Sequence, residues 1–375
     1  MNWRITEILG GAQTLLPVEY PLQECFPQYL SNNQKLFLAI IQRIESSITI
    51  QEGHSNKGRP AYPTICFFRA FLAQSFFKLD TMEDLRSRLH VDGNLRILCG
   101  FHKVPSLPTF SRRHSLLAEN GTSQTAHENM IKENLAGSMI GHISRDSTAI
   151  AVRWKVLKTT KLISRSTGKK YRRGRPRKNE IRPEKPLQRI AKQVQQSPEK
   201  SLSEISKKCQ WGCKINSQGN KYYWKGYKLH LDVTDFGLPV TALFTGANVH
   251  DSQLAIPMEQ LTEQRCTFLY SVMDSAYDAK IIHQFIRERN RIPIIDPHTR
   301  KNGIACPLDP AKKQRFKVRS SVERANAHLK DWHIPDRICF RSDRKIEFVV
   351  MNAVLVLSAI KLIQYPVHLK IPDVA

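Results

Sequence analysis

The sequence is short of acid. Against 58 lysines and arginines stand only 33 aspartates and glutamates in 375 residues, a formal charge of +25. Self-repulsion on that scale is most readily tolerated when the partner is a polyanion, and nucleic acid is the commonest one. Long apolar runs are scarce as well. The best, Phe348 to Ile363, carries Asn352, Ser358 and Lys361 and is too short for a bilayer, so it reads as a buried helix, and no membrane partner is expected. Met1 to Gln13 contains Glu7 and lacks a secretory apolar region and cleavage site, which predicts no export. The eight cysteines are scattered, which suits a reducing compartment. Only Cys209 and Cys213 lie close, with no second pair at zinc spacing, which argues against a structural zinc site. No internal repeat occurs.

Three regions separate by composition. Residues 1–137 read as an all-helical domain. In Gln34 to Ile48, apolar side chains at 36, 38, 40, 41, 44 and 48 keep close to helical spacing. Short helices are expected in Pro63 to Leu79, Thr81 to Val91, Gly93 to Phe101 and Leu107 to Asn120. Thr81 with Asp84 reads as an N-cap pair, and Pro108-Thr109 as a helix start. Such a set suits a helix-turn-helix reader of DNA and equally a plain helical bundle.

Residues 138–365 change character. Gly141 to Val152, Tyr222 to Thr234, Leu238 to Ala247, Thr267 to Asp274 and Arg291 to Asp296 are strand-like. Ser252 to Gln264 and Ala276 to Asn290 read as helices, giving an α/β order with mixed strand pairing. A polar insertion at about 153–219 separates the first two strands. From Arg153 to Gln193 it holds 16 basic and 2 acidic residues, so +14 of the total charge sits there. Its Arg172, Arg173, Arg175 and Arg177 can lie along a minor groove, or can serve as a solvated run that touches phosphates without choosing among them. Residues 366–375 form a tail.

In so basic a chain the acids at strand positions carry most of the information. Asp146 lies in the first strand and Asp274 ends the fourth. In a ribonuclease-H-like sheet those two strands are central neighbours, and their carboxylates converge. A third carboxylate would complete a cage for two Mg²⁺ ions (Mn²⁺ being the substitute), hard cations that take oxygen ligands. Each acid also has a plainer role open to it. Asp274 can cap the following helix. Glu323 sits in Ser320-Ser321-Val322-Glu323, which fits a capping box. A helix there would set Val318, Val322, Ala325, Leu329 and Trp332 toward the core, with Arg319, Glu323 and Lys330 on its shoulder. Locally, capping and catalysis stand level for Glu323.

Taken together these segments resemble the DDE transposases of bacterial insertion sequences, in the group with a Tyr-x2-Arg-x3-Glu-x6-Lys motif. Here the run is Phe316-x2-Arg319-x3-Glu323-x6-Lys330, with Phe in place of Tyr. The segments around Asp146, Tyr222 to Ser252 and Met273 to Lys280 are similar to the same family, as is the helical stretch from Gly58 to Phe101. The resemblance implies that Asp146, Asp274 and Glu323 bind metal and catalyse, and that Arg319 and Lys330 touch transposon-end DNA. Arg324, Lys225 and Lys228 are further DNA contacts expected beside these motifs. His250, Asp251, Tyr277 and Asp278 match supporting positions, and Asp251 is expected to cap the helix after it. The implied activity is metal-dependent cleavage at terminal inverted repeats, followed by joining of 3′-hydroxyl ends to target DNA. It implies a dimer or larger assembly on double-stranded DNA, working at the nucleoid in a bacterial cytoplasm. A transposase-derived DNA-binding protein without catalysis is the alternative.

Overall fold

In the computed structural model, residues 29–50, 61–152, 188–215, 218–298 and 307–365 are described. Six helices come first: α1 (Asn32–Glu45), α2 (Thr64–Phe76), α3 (Met82–Val91), α4 (Gly93–Leu98), α5 (Leu107–Glu119) and α6 (Thr122–Leu135). Their starts follow local chemistry. Ser31 and Gln34 close a capping box on α1, and Thr81 with Asp84 closes another on α3, as the sequence predicts. Pro108 lies in the first turn of α5, where its missing N–H costs nothing.

The sheet has six strands: β1 (Met139–Ala151), β2 (Gln210–Ile215), β3 (Lys221–Thr234), β4 (Pro239–Gly246), β5 (Thr267–Met273) and β6 (Ile292–Ile295). The order is β2-β3-β1-β5-β6, and β4 pairs with β3 beyond the end of β2. β1 runs antiparallel to β3 and parallel to β5, so the pairing is mixed. The sequence reading missed β2. Gln210–Ile215 is short, glycine-interrupted and almost free of β-branched residues, and it gains strand form by pairing onto β3. Two short helices, α7 (Arg189–Gln193) and α8 (Pro198–Ser203), also lie in what the sequence marks only as a basic insertion.

The remaining helices are α9 (Ala255–Glu263), α10 (Lys280–Arg287), α11 (Pro310–Phe316), α12 (Ser320–His328) and α13 (Asp343–Gln364). Alternation in β3 sorts them between the faces. Leu229, Leu231 and Val233 pack with Val322, Ala325 and Leu329 and with Val350 and Val354 of α13. Asp232 turns to the other face, toward α9 through its network with Arg145 and Glu259. α13 is long and apolar enough to cross a membrane by length and composition, yet 83% of its apolar window is buried inside the protein. Leu355, Val356 and Ala359 join Phe37, Phe71, Phe110, Ile140 and Phe268 in one core. The helical region and the sheet are thus bound around a shared last helix.

Candidate active site

Arg145 and Met273 are the last register pair between β1 and β5, and the next residue on each strand is Asp146 and Asp274. In a parallel pair, equivalent positions project from the same face, here from backbones roughly 5 Å apart. Asp146 is opposite Leu231 across β3, which puts its carboxylate on the α12 side. Asp274 also caps a single 3₁₀ turn, accepting from Ala276 N at 3.1 Å, so the capping role open to it in the sequence is real. Burial raises the pKa of both carboxyls, and the charge of Asp146 adds to the rise at Asp274. Lys214 and Arg319 oppose the rise at Asp146, and Arg319 opposes it at Asp274.

Glu323 arrives from a helical run that begins much earlier than Ser320. Asp309 caps α11 through Lys312 N at 2.9 Å, and a 3₁₀ turn, Lys317–Arg319, leads directly into α12. Ser320 is already helical, at φ −57°, so the capping box that the sequence left open does not form. Glu323 Oε1 instead accepts from Arg319 Nη1 at 2.5 Å. The other terminal nitrogen of that guanidinium lies 3.7 Å from Asp146 Oδ1. Asn326, one turn on, donates to Asp146 Oδ2 at 3.2 Å. Ser144 Oγ donates to Val318 O at 3.2 Å and ties β1 to the 3₁₀ turn. Past His328 the helix widens into a π turn, Leu329–His333. The wider turn carries His333 inward and leaves Trp332 63% exposed, so Trp332 is not on the core stripe expected of it.

The donor set suits a hard divalent cation: three carboxylates, two of them half-buried and repelling each other. As the side chains stand, no three His, Cys, Asp or Glu residues among those described gather closely enough to hold a metal. Glu323 is turned to Arg319, and the guanidinium supplies positive charge to all three acids. Lys330 is near as well. Burial and the charge of Lys214 hold its pKa below the usual lysine value, with Asp146 acting the other way.

Other expected positions fall differently. Lys228, expected as a DNA contact, is buried and commits its ammonium to Asp251 Oδ1 and Val249 O, each at 2.9 Å, in an internal ion pair. Asp251 does not cap the helix after it. His250 does so, through Nδ1 at 3.3 Å from Ser252 N, because Asp251 is drawn inward by Lys228. Although burial alone would raise it, the pKa of Asp251 is lowered by His230 and Lys228. Tyr277 is fully buried, with its hydroxyl unpartnered among the described residues and in the field of Asp251, Asp146 and Asp274. Asp278 lies apart, accepting from His298 N at 3.0 Å and facing His283 at 3.0 Å. Arg324 is exposed and donates to Ser320 Oγ at 3.1 Å. Lys225 packs over Trp211, 5.9 Å from the ring centre. Arg172, Arg173, Arg175 and Arg177 lie outside the described residues.

Three participants went unseen in the sequence. Asn326 carries a weak signal, three residues after Glu323 on the same helical face. Lys214 carries none, because its strand was missed. Arg145 is anomalous only once burial is known. It is held inside the protein by Asp232 and Glu259.

No curated protein and no solved structure matches the chain. Two family models do match. Residues 31–115 match a transposase domain (DUF772), which takes in α1 to most of α5. Residues 194–358 match the transposase DDE domain, a stretch that contains Asp274 and Glu323 and begins after Asp146. A transposase-type helical region followed by a transposase DDE domain, on a mixed sheet of the ribonuclease-H type, places the chain in the family of insertion-sequence DDE transposases.

Proposed function

We propose that the protein cleaves DNA at the terminal inverted repeats of an insertion sequence and joins the freed 3′-hydroxyl ends to target DNA. The observation that carries this reading is the pair Asp146 and Asp274, side by side on parallel neighbours, with Glu323 on the helix above them. DDE transposases normally use divalent metal ions, and here Asp146, Asp274 and Glu323 would hold Mg²⁺. Bound there, the metal would supply an activated oxygen nucleophile and charge neutralisation at the leaving oxygen. The chain's own part is positioning. Asn326 fixes one oxygen of Asp146 and leaves the other facing Arg319. Arg319 and Lys330 hold the DNA backbone beside the acids. The helical region, residues 1–137, reads the element ends, and residues 138–365 carry the chemistry. Because two ends must be joined, the working form is at least a dimer on DNA.

A second reading draws on the tie between Glu323 and Arg319: a DNA-binding protein whose acids no longer take metal. One experiment separates the two. Duplex DNA carrying the inverted repeats that flank the gene is incubated with Mg²⁺ and either the wild type or Glu323→Gln. Cleavage by the wild type alone, with equal end binding by both, supports the transposase. Binding without cleavage by either protein supports the silent form, and equal cleavage by both removes Glu323 from the site.

A further inference from the structure

β2 and the first half of β3 form a ribbon that leaves the main sheet. Ala151 opposite Gly226 is the last register pair between β1 and β3, and Lys221 to Lys225 pair only with β2 and with the end of β1 at Val152. The departure is built into two glycines. Gly226 sits at φ +154°, where a Cβ would lie 2.1 Å from Ile150 O, so only glycine permits this bend. Across the ribbon, a Cβ on Gly212 would lie 2.4 Å from the Trp224 ring. That indole is buried and donates to Tyr227 O at 3.1 Å, which locks the ribbon's twist.

The bend has one consequence for the acids. Lys214, near the ribbon's tip, comes back over the sheet until its Nζ is 3.0 Å from Ser147 O. Ser147 is the residue after Asp146. The contact uses one of three ammonium donors, and Lys214 makes no ion pair among the described residues. Lys330 stands in the π turn, one turn beyond Asn326, whose amide donates to Asp146 Oδ2 at 3.2 Å. Two cations that repel each other beside an acid pair are stabilised when an anion lies between them.

We propose that Lys214 and Lys330 together form the seat for the phosphodiester on which the three acids act, Lys214 being delivered to it by the bent ribbon. The proposal rests on the DNA-cleaving reading above, and it adds a phosphate-binding residue that no motif marks. A lysine that merely strapped the ribbon to β1 would need only its hydrogen bond to Ser147 O.

The test compares Lys214→Gln, which keeps an N–H donor without charge, with Lys214→Arg and the wild type. Duplex DNA binding is followed by fluorescence anisotropy over a salt series, and Mg²⁺-dependent cleavage is measured on the end-bearing duplex. A phosphate contact predicts that Lys214→Gln lowers the salt slope by about one and cuts kcat/KM at least about tenfold, while Lys214→Arg keeps most of both. A Lys214→Gln variant equal to the wild type in slope and rate makes the residue a strap and overturns the proposal. Loss in both variants with a matching fall in Tm overturns it too. If the wild type binds DNA yet never cleaves it, the cleavage reading fails on its own, and the salt slope still decides the phosphate seat.

Discussion

Arg319 and Glu323 form an i, i+4 pair in which the guanidinium donates to Oε1 at 2.5 Å while its other arm points at Asp146, 3.7 Å away. One cation thus serves two of the three acids and opposes the rise in pKa that burial and Asp146 cause at the third. A divalent ion would have to compete with it. Arg319→Ala is therefore expected to bind Mn²⁺ more tightly than the wild type when no DNA is present, by about fivefold to tenfold, in keeping with the ~1 kcal/mol typical of a partly exposed pair. The same variant should bind end DNA more weakly. Electron paramagnetic resonance of free Mn²⁺ reads the first effect directly. An unchanged Mn²⁺ affinity would mean that the guanidinium does not guard the acids.

Four buried histidines make the fold sensitive to acid. Burial lowers the pKa of His114 to about 3 and of His127 to about 3. It lowers His230 to about 4 and His333 to about 4. Below the unfolded value of about 6.5 the unfolded chain takes up protons that the folded chain refuses, so stability is lost as pH falls through that point. Each contributes up to about 1.4 kcal/mol per pH unit. Asp146, Asp274 and Glu259, with raised pKa values, act in the opposite direction as they protonate. His114 is the cleanest to remove. It stacks on Phe340 at 4.3 Å, and neither ring nitrogen has a partner among the described residues. Urea titrations of His114→Phe should match the wild type or exceed it at neutral pH, with its advantage growing by about 2 kcal/mol between pH 6.5 and 5.

The arginine-rich run offers a test by deletion. Removing Lys169 to Lys178 takes out seven cations and no acid. The expected result is uniform weakening across DNA sequences, with a shallower salt dependence, as for contacts to phosphate alone. Selective loss on A·T-rich duplexes would instead mark minor-groove reading.

Periodicity carried much of the fold. The strands of Asp146 and Asp274 show as short β-branched runs and the helix starts follow from Thr81, Asp84 and Pro108, whereas the adjacency of those two strands is expected only from the ribonuclease-H-like arrangement. Where the reading failed, a distant partner overrode a local signal. Ser320 and Glu323 fit a cap only if a helix starts there, and Asp309 caps the helical run eleven residues earlier in the chain. Lys228 reads as a surface cation until Asp251 is known to lie beneath it. β2 has no strand signal of its own, so Lys214 could not be placed near Asp146 without the bend at Gly226. Asp146 and Asp274 stand out as candidates because acids on apolar strands are unusual in a chain with so few acids, and Glu323 joins them only through its spacing to Arg319 and Lys330.

Arg145, the neighbour of Asp146 in sequence, faces away from it into a closed ionic network. Its Nε and Nη2 reach Asp232 at 2.6 and 2.7 Å, Nη2 reaches Glu259 at 3.1 Å, and Nη1 donates to Ala255 O at 2.8 Å. Thr262 and Ser271 donate to Asp232 and Glu259 at 2.6 and 2.8 Å, so the carboxylates are well satisfied. The network fastens β1 and β3 to α9, on the face opposite the acids. Removing one member strands a buried charge, and Asp232→Ala is expected to lower stability by about 3–5 kcal/mol. Replacing Arg145, Asp232 and Glu259 together by Met, Leu and Met removes charge and partner at once, and most of the loss should return. Thermal and urea denaturation of the single and triple variants measure both quantities. A triple variant that regains stability but positions Asp146 poorly would show reduced cleavage at full DNA affinity, which would assign the network to holding the catalytic strand in register. A triple variant as unstable as the single one would show that the hydrogen bonds to Thr262, Ser271 and Ala255, and not charge balance, hold the face together.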